Sequence, residues 1–226
     1  MEAPGNRATW VLGRGPAVFW ALSAGGVLWI VHGYFRIITP YGPDTVWRKD
    51  LGYSPIISPE LFVLYNLPGG LALLLAASAA FSFLSALGAG RSALNFTARM
   101  LVLAAFLLGL VAMAGQLFLF SPPTVVGISF GMPALGLALI LTGVMVAKNS
   151  DGLREHRRML GPGLILLGTI GLFILPLWPM MYAMGWLPLW FGALIYAACG
   201  AGWVILGVSL RPASGSISTT AEHFRD

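Results

Sequence analysis

Apolar residues run along this chain in six unbroken stretches, roughly Pro16–Phe35, Leu61–Gly88, Met100–Phe120, Val125–Ala147, Gly161–Met181 and Pro188–Leu210. None of them contains Asp, Glu, Lys or Arg. Each meets the length of about 20 residues that a helix needs to cross a hydrocarbon core. Barrel strands alternate polar and apolar positions over about ten residues, and these runs do not. In lipid the backbone must satisfy its own polar groups within each span, which selects helices. The pattern therefore predicts an all-α polytopic membrane protein, six transmembrane helices packed as one bundle across residues 16–210. A short segment 1–15 precedes it and a Ser/Thr-rich tail, 211–226, follows; the tail's composition predicts disorder.

Composition agrees, at 58% hydrophobic and 9% charged residues. Charge placement adds orientation. Ten of the thirteen Lys and Arg residues flank alternate boundaries: Arg7 and Arg14, Arg91 and Arg99, Lys148 to Arg158, then Arg211 and Arg225. The other three, Arg36, Arg48 and Lys49, share the first long loop with Asp44, Asp50 and Glu60. The positive-inside rule then puts both termini in the cytoplasm. It also accounts for the pI near 9.8 without nucleic acid as a partner. Arg-rich, Ala- and Gly-rich usage points to a GC-rich bacterial genome and so to the plasma (inner) membrane.

Between the spans, the loop from Arg36 to Glu60 holds four prolines and two glycines, which argues for a turn-rich fold. Ser58-Pro-Glu60 has the form of a helix start. Ser121-Pro-Pro-Thr124 reads as a short turn. Leu175–Pro188 carries three prolines with Trp178, Tyr182 and Trp186, either an aromatic belt or a hydrophobic lid. Two rows of small residues at four-residue spacing, Ser78/Ser82/Ala86/Gly90 and Ala193/Ala197/Ala201, read as packing stripes.

Three groups carry candidate chemistry. In Tyr65-Asn66-Leu-Pro68-Gly-Gly70 the proline removes a backbone donor, and freed carbonyls with the Asn66 amide form a candidate ligand site, with Trp29 as a further lining residue. The same features also describe a kink satisfied by neighbouring helices. The second group is Asp44, Arg48, Asp50 and Glu60 with His32, candidates for acid–base catalysis or for clamping an anion. Such charges equally pair to order a loop. The third, Gly127-Ile-Ser129-Phe-Gly131, matches a nucleophile-elbow spacing but opens a transmembrane helix instead of joining a strand to one. With Trp47-Arg48 in the first loop it resembles the rhomboid proteases. It departs from them where catalysis needs it, since Gly-x-Ser-Gly is absent and the sixth span has no histidine to activate Ser129.

Three scattered histidines and one cysteine, Cys199, supply no metal or haem ligand set, so no cofactor is expected. Spans without charged residues argue against ion-coupled work within them. The reading is a non-catalytic membrane protein, a small binding or transport component or a scaffold subunit. It implies a membrane or cytoplasmic protein partner and a hydrophobic or amphipathic small ligand. Ala17-Val-Phe-Trp-Ala21 resembles the docking motif of substrate-binding components of energy-coupling-factor transporters, a resemblance that implies an energising partner. The alternative is a membrane-embedded enzyme acting on an outer-leaflet lipid through the acids of the first loop.

Overall fold

The computed structural model describes residues 15–38, 44–46, 48–86, 92–148, 160–174, 184–186 and 188–210. These residues form α1 (Gly15–Ile38), α2 (Pro59–Ala86), α3 (Ala93–Leu117), α4 (Ser121–Lys148), α5 (Leu160–Thr169) and α6 (Leu189–Ser209). A π-helical turn, Ile170–Ile174, continues α5. Five helices, all but α5, are long and apolar enough to cross a membrane, and α5 with its π turn is a shorter apolar element. The result is a helical, multi-pass membrane architecture in contact with lipid.

Successive neighbours pack antiparallel in the order α6, α1, α2, α3, α4, α5, and α2 also reaches α4. The seam between α5 and α6 is the thinnest of the adjacent pairs. Two three-helix groups thus meet mainly through α2, one made of α6, α1 and α2 and the other of α3, α4 and α5.

Size, more than polarity, decides which way each helix face turns. In α3 the buried positions Asn95, Ala98, Val102, Ala105, Gly109, Ala112 and Gln116 fall three and four residues apart. Leu103, Leu107, Leu110 and Val111 are exposed on the other side. Lipid is as apolar as leucine, so burying leucine between helices gains little there, while small residues let backbones approach. Glycine does this along two seams. A Cβ on Gly136 would stand 2.6 Å from the Gly168 carbonyl oxygen, and one on Gly143 would stand 2.7 Å from that of Gly161. Gly26 and Gly200 meet in the same way between α1 and α6.

The stripes expected from four-residue spacing lie elsewhere. Ser78 and Ala201 are exposed, Ala193 and Ala197 are half-buried, and Gly90 falls outside the described residues. The Ser78, Ser82 and Ser85 hydroxyls donate to their own helix, at the carbonyls of Leu74, Ser78 and Phe81. Spacing alone does not say which face of an all-apolar helix points inward.

Boundaries differ from the apolar runs where local chemistry overrides hydropathy. α3 begins at Ala93, two turns before Met100, because the Ser92 hydroxyl accepts from the Asn95 amide at 3.2 Å and caps it. Arg99 therefore lies within α3, and its Nη2 donates to the Leu84 carbonyl in the last turn of α2 at 3.4 Å. Ser121-Pro-Pro-Thr124 is the first turn of α4 instead of a loop, a place where proline's missing donor costs nothing. The turn itself is Phe118–Phe120, with Leu119 in the left-handed region at φ 52°.

The loop between α1 and α2 folds as an irregular hairpin. Antiparallel bridges join Thr45 to Ile56 and Arg48 to Tyr53, and Gly52 at φ 68° closes its tip. α2 starts at Pro59 as the Ser-Pro-Glu sequence predicts, although the Ser58 hydroxyl donates to Glu60 Oε2 at 3.3 Å.

Candidate functional site

Polar side chains buried among these helices gather at the hairpin end. His32, Asp44, Asn66, Gln116, Ser121 and Thr124 are buried there, against Asn95 and Thr142 toward the other end. The arrangement grows from Pro68 in α2, which offers no N–H to the Leu64 carbonyl and interrupts the helical ladder. Asn66 Nδ2 donates back to the Phe62 carbonyl at 2.8 Å. From α1, His32 Nδ1 donates to the Tyr65 carbonyl at 2.8 Å, an acceptor that fixes the proton on that nitrogen. From α3, Gln116 Nε2 donates to the Asn66 carbonyl at 3.1 Å. Three helices are thus tied through consecutive carbonyls of one kinked turn.

Gly69 and Gly70 make the approach feasible. A Cβ on Gly69 would lie 2.9 Å from the His32 ring, and one on Gly70 would lie 2.8 Å from Met113 Sδ and 3.0 Å from Gln116 Nε2. The two glycines provide room for side chains of neighbouring helices. Trp29, one turn deeper than His32, is fully buried and stacks on Tyr196 of α6 at 5.8 Å. His32 meets the same Tyr196 edge-on at 5.4 Å. Tyr65 is buried against Phe35.

Two polar atoms in this region have no hydrogen-bond partner among the described residues. They are Trp29 Nε1, a donor, and Gln116 Oε1, an acceptor, both on side chains at most 2% exposed. A buried polar atom left unpaired costs about 1–3 kcal/mol, so such atoms mark places where a polar group from elsewhere would be favourable.

The hairpin packs against the start of α4 at this end of the bundle. Asp44 is fully buried at its base, where its backbone carbonyl accepts from Ile57 at 2.7 Å and from Ser58 at 3.4 Å. The Ser121 hydroxyl of α4 donates to the Ser54 carbonyl, and Tyr53 meets Phe120 edge-on. Arg48 and Asp50 form an exposed bidentate pair at 2.8–2.9 Å, with the guanidinium holding the Asp50 carboxyl below its ordinary value. Glu60 is exposed beside Ser58.

The sequence candidates therefore separate into two sets. Trp29, His32, Tyr65, Asn66 and Pro68 come together across α1 and α2. Asp50, Arg48 and Glu60 face outward, Asp44 is enclosed, and no group of three His, Cys, Asp or Glu side chains is placed to hold a metal among the described residues. Ser129 is exposed on α4, while Gly127 of the same motif presses on α3 and Gly131 on Leu73 of α2. Trp47, Trp178 and Tyr182 lie outside the described residues, and Trp186 is exposed. Gln116 is the residue that sequence reading missed. Its signal was a lone amide in phase with Ala105, Gly109 and Ala112 of an otherwise apolar span.

No protein-family model, curated protein or solved structure matches this chain. Its chemistry has to be read from its own residues.

Proposed function

We propose that this chain is a non-catalytic integral membrane protein, a small binding or transport component of a bacterial plasma-membrane complex with both termini in the cytoplasm. Its site is the kinked turn of α2 with the residues around it, Tyr65, Asn66, Pro68 and Trp29, to which Gln116 is added. The observation that carries this reading is the pair of unpartnered buried polar atoms, Gln116 Oε1 on the side chain that bonds the Asn66 carbonyl, and Trp29 Nε1 one turn from His32 on α1. A small, uncharged or amphipathic ligand with complementary polar groups would suit them, because no Asp, Glu, Lys or Arg lies between Trp29 and Phe35 of α1, Leu61 and Gly70 of α2, or Met113 and Gln116 of α3. The hairpin then acts as its cover, and the ligand or a protein partner supplies what a chain without catalytic machinery lacks.

The enzyme alternative draws less support. Its carboxylates do not converge: Asp50 is engaged by Arg48 and Glu60 by Ser58, both at the surface. A general acid or base must stand within hydrogen-bond reach of the proton it transfers, and these two carboxylates are held at the surface by partners in their own loop.

Native mass spectrometry of the protein extracted from its own membrane tests the reading. A co-purifying small molecule that is lost in Gln116→Leu and Trp29→Phe, and retained in Asp50→Asn and Glu60→Gln, is the expected result. Turnover of a lipid that disappears in Asp50→Asn or Glu60→Gln would replace this reading with the enzyme.

A further inference from the structure

A positive charge without a counter-charge stands at the end of the bundle opposite the hairpin. Arg99, in the second turn of α3, is half-buried, and its Nη2 donates to the Leu84 carbonyl of α2 at 3.4 Å. That long bond uses one of the five N–H donors of a guanidinium. Nε is buried and meets no acceptor among the described residues. The carboxylates among the described residues, Asp44, Asp50 and Glu60, all lie at the other end, in the hairpin and the start of α2. Arginine keeps its charge in every protein setting, and beside a hydrocarbon core that charge is costly unless it finds a partner.

Depth decides which partner is at hand. No charged residue lies between Arg99 and Phe118 at the α3–α4 turn, a rise of about 29 Å at 1.5 Å per residue. The hydrocarbon core is about 30 Å thick, so with Phe118 at one of its edges Arg99 lies at the other, level with lipid phosphates. α2 gives the same level independently. It is free of charge from Leu61 to Ala86, and Leu84 stands about 36 Å from Glu60, within the roughly 40–45 Å that takes in both headgroup layers. On α3, Leu103 and Leu107, one and two turns deeper than Arg99, are exposed, as is Phe96 on the turn before it. Residues at this spacing share a helix face, so Arg99 heads a line that faces lipid.

We infer that Arg99 holds the phosphate of a phospholipid from the leaflet at that end, with an acyl chain lying along Leu103 and Leu107. The guanidinium donors that the protein leaves unused match phosphate oxygens in geometry as well as in charge. The bond to Leu84 fixes the side chain across the α2–α3 seam, so the fork is oriented before the lipid arrives. The site is separate from the kink of α2, which lies near the other face of the membrane.

The test uses the full chain, stripped of lipid in detergent, with binding read by native mass spectrometry. Phosphatidylglycerol is compared with a diacylglycerol of the same chains, which lacks the phosphate. The unmodified protein should bind phosphatidylglycerol more tightly by about tenfold or more, the fold-change expected of a hydrogen bond to a charged group. Arg99→Gln should remove that preference, and Lys148→Gln, which deletes an exposed charge at the same end of the bundle, should leave it within about twofold. Millimolar inorganic phosphate should not displace the lipid; displacement would assign the site to free phosphate and overturn the lipid as its occupant. Equal binding of the two lipids by the unmodified protein overturns the proposal whether or not the variant folds, and so does a preference that survives in Arg99→Gln.

Discussion

At the residue scale, single atoms separate structural from functional roles. Gln116 joins α3 to α2 through one hydrogen bond, and such bonds in membranes are worth about 0.6 kcal/mol on average, with a ceiling of about 1.7 kcal/mol. Gln116→Leu should therefore cost no more than that in reversible unfolding measured in detergent or bicelles, so loss of a ligand in this variant would not be a folding defect. Leu119 offers the opposite case. A non-glycine residue held at φ 52° bears roughly 1–2 kcal/mol of strain, so Leu119→Gly should raise the unfolding free energy by about 1 kcal/mol in the same measurement. The Arg48–Asp50 pair yields a pH signature. Arg48 stabilises the ionised Asp50 and lowers its pKa, so the pair's contribution is intact above the ordinary carboxylate range and is lost as pH falls through the lowered value. Amide exchange across the hairpin, corrected for intrinsic rates, should be flat from neutral pH down to that range and rise below it. Both groups are exposed, so the effect should stay local.

At the scale of helices, glycine contacts give the sharpest contrast. Gly168 has no room for a side chain against Gly136 and Ile140, whereas Gly163 on the same helix faces open space. Gly168→Ala should destabilise by about 1–3 kcal/mol through overpacking, and Gly163→Ala should be neutral or stabilising by up to about 1 kcal/mol, as read from melting temperatures of the two variants. The helical, apolar character and chain order of the elements were legible in the sequence, because length and lack of charge follow directly from the physics of lipid. Five of the described helices are long enough to span, and the described part of α5 is shorter than its apolar run. The start of α2 was legible as well, since proline and an acid after serine have few other uses. What the sequence did not reveal was facing. With leucine on both sides of a helix, no periodicity of polarity marks the seam, so Ser78 and Ala201 were misread as interior. The size pattern of α3, Ala98 through Ala112 inside and Leu103 through Val111 outside, carries that information once the packing is known. The Tyr65–Gly70 kink was legible as a candidate because proline subtracts a donor wherever it stands. Gln116 was not, since its significance depends on meeting the Asn66 carbonyl fifty residues away.

Across the whole molecule, contact is unevenly shared. α1 is held on both flanks, by α2 and α6, and α5 leans mainly on α4. Amides of α5 and its π turn should therefore exchange with solvent deuterium faster than those of α1 in the same sample, and the hairpin end of α2, tied by His32 and Gln116, should be among the slowest. The pairing of α1 with α6 also bears on how the protein comes to exist. Ribosomes deliver α1 well before α6, and the Gly26 surface that accepts Gly200 has no counterpart until some 170 residues later in the chain. During that interval α1 resides in the bilayer with a glycine-lined flank turned to lipid, held by α2 alone. Completion of the bundle is thus a late event in biosynthesis, and a nascent chain halted before α6 would present to the cell's quality-control machinery a half-built protein with its first helix incompletely partnered.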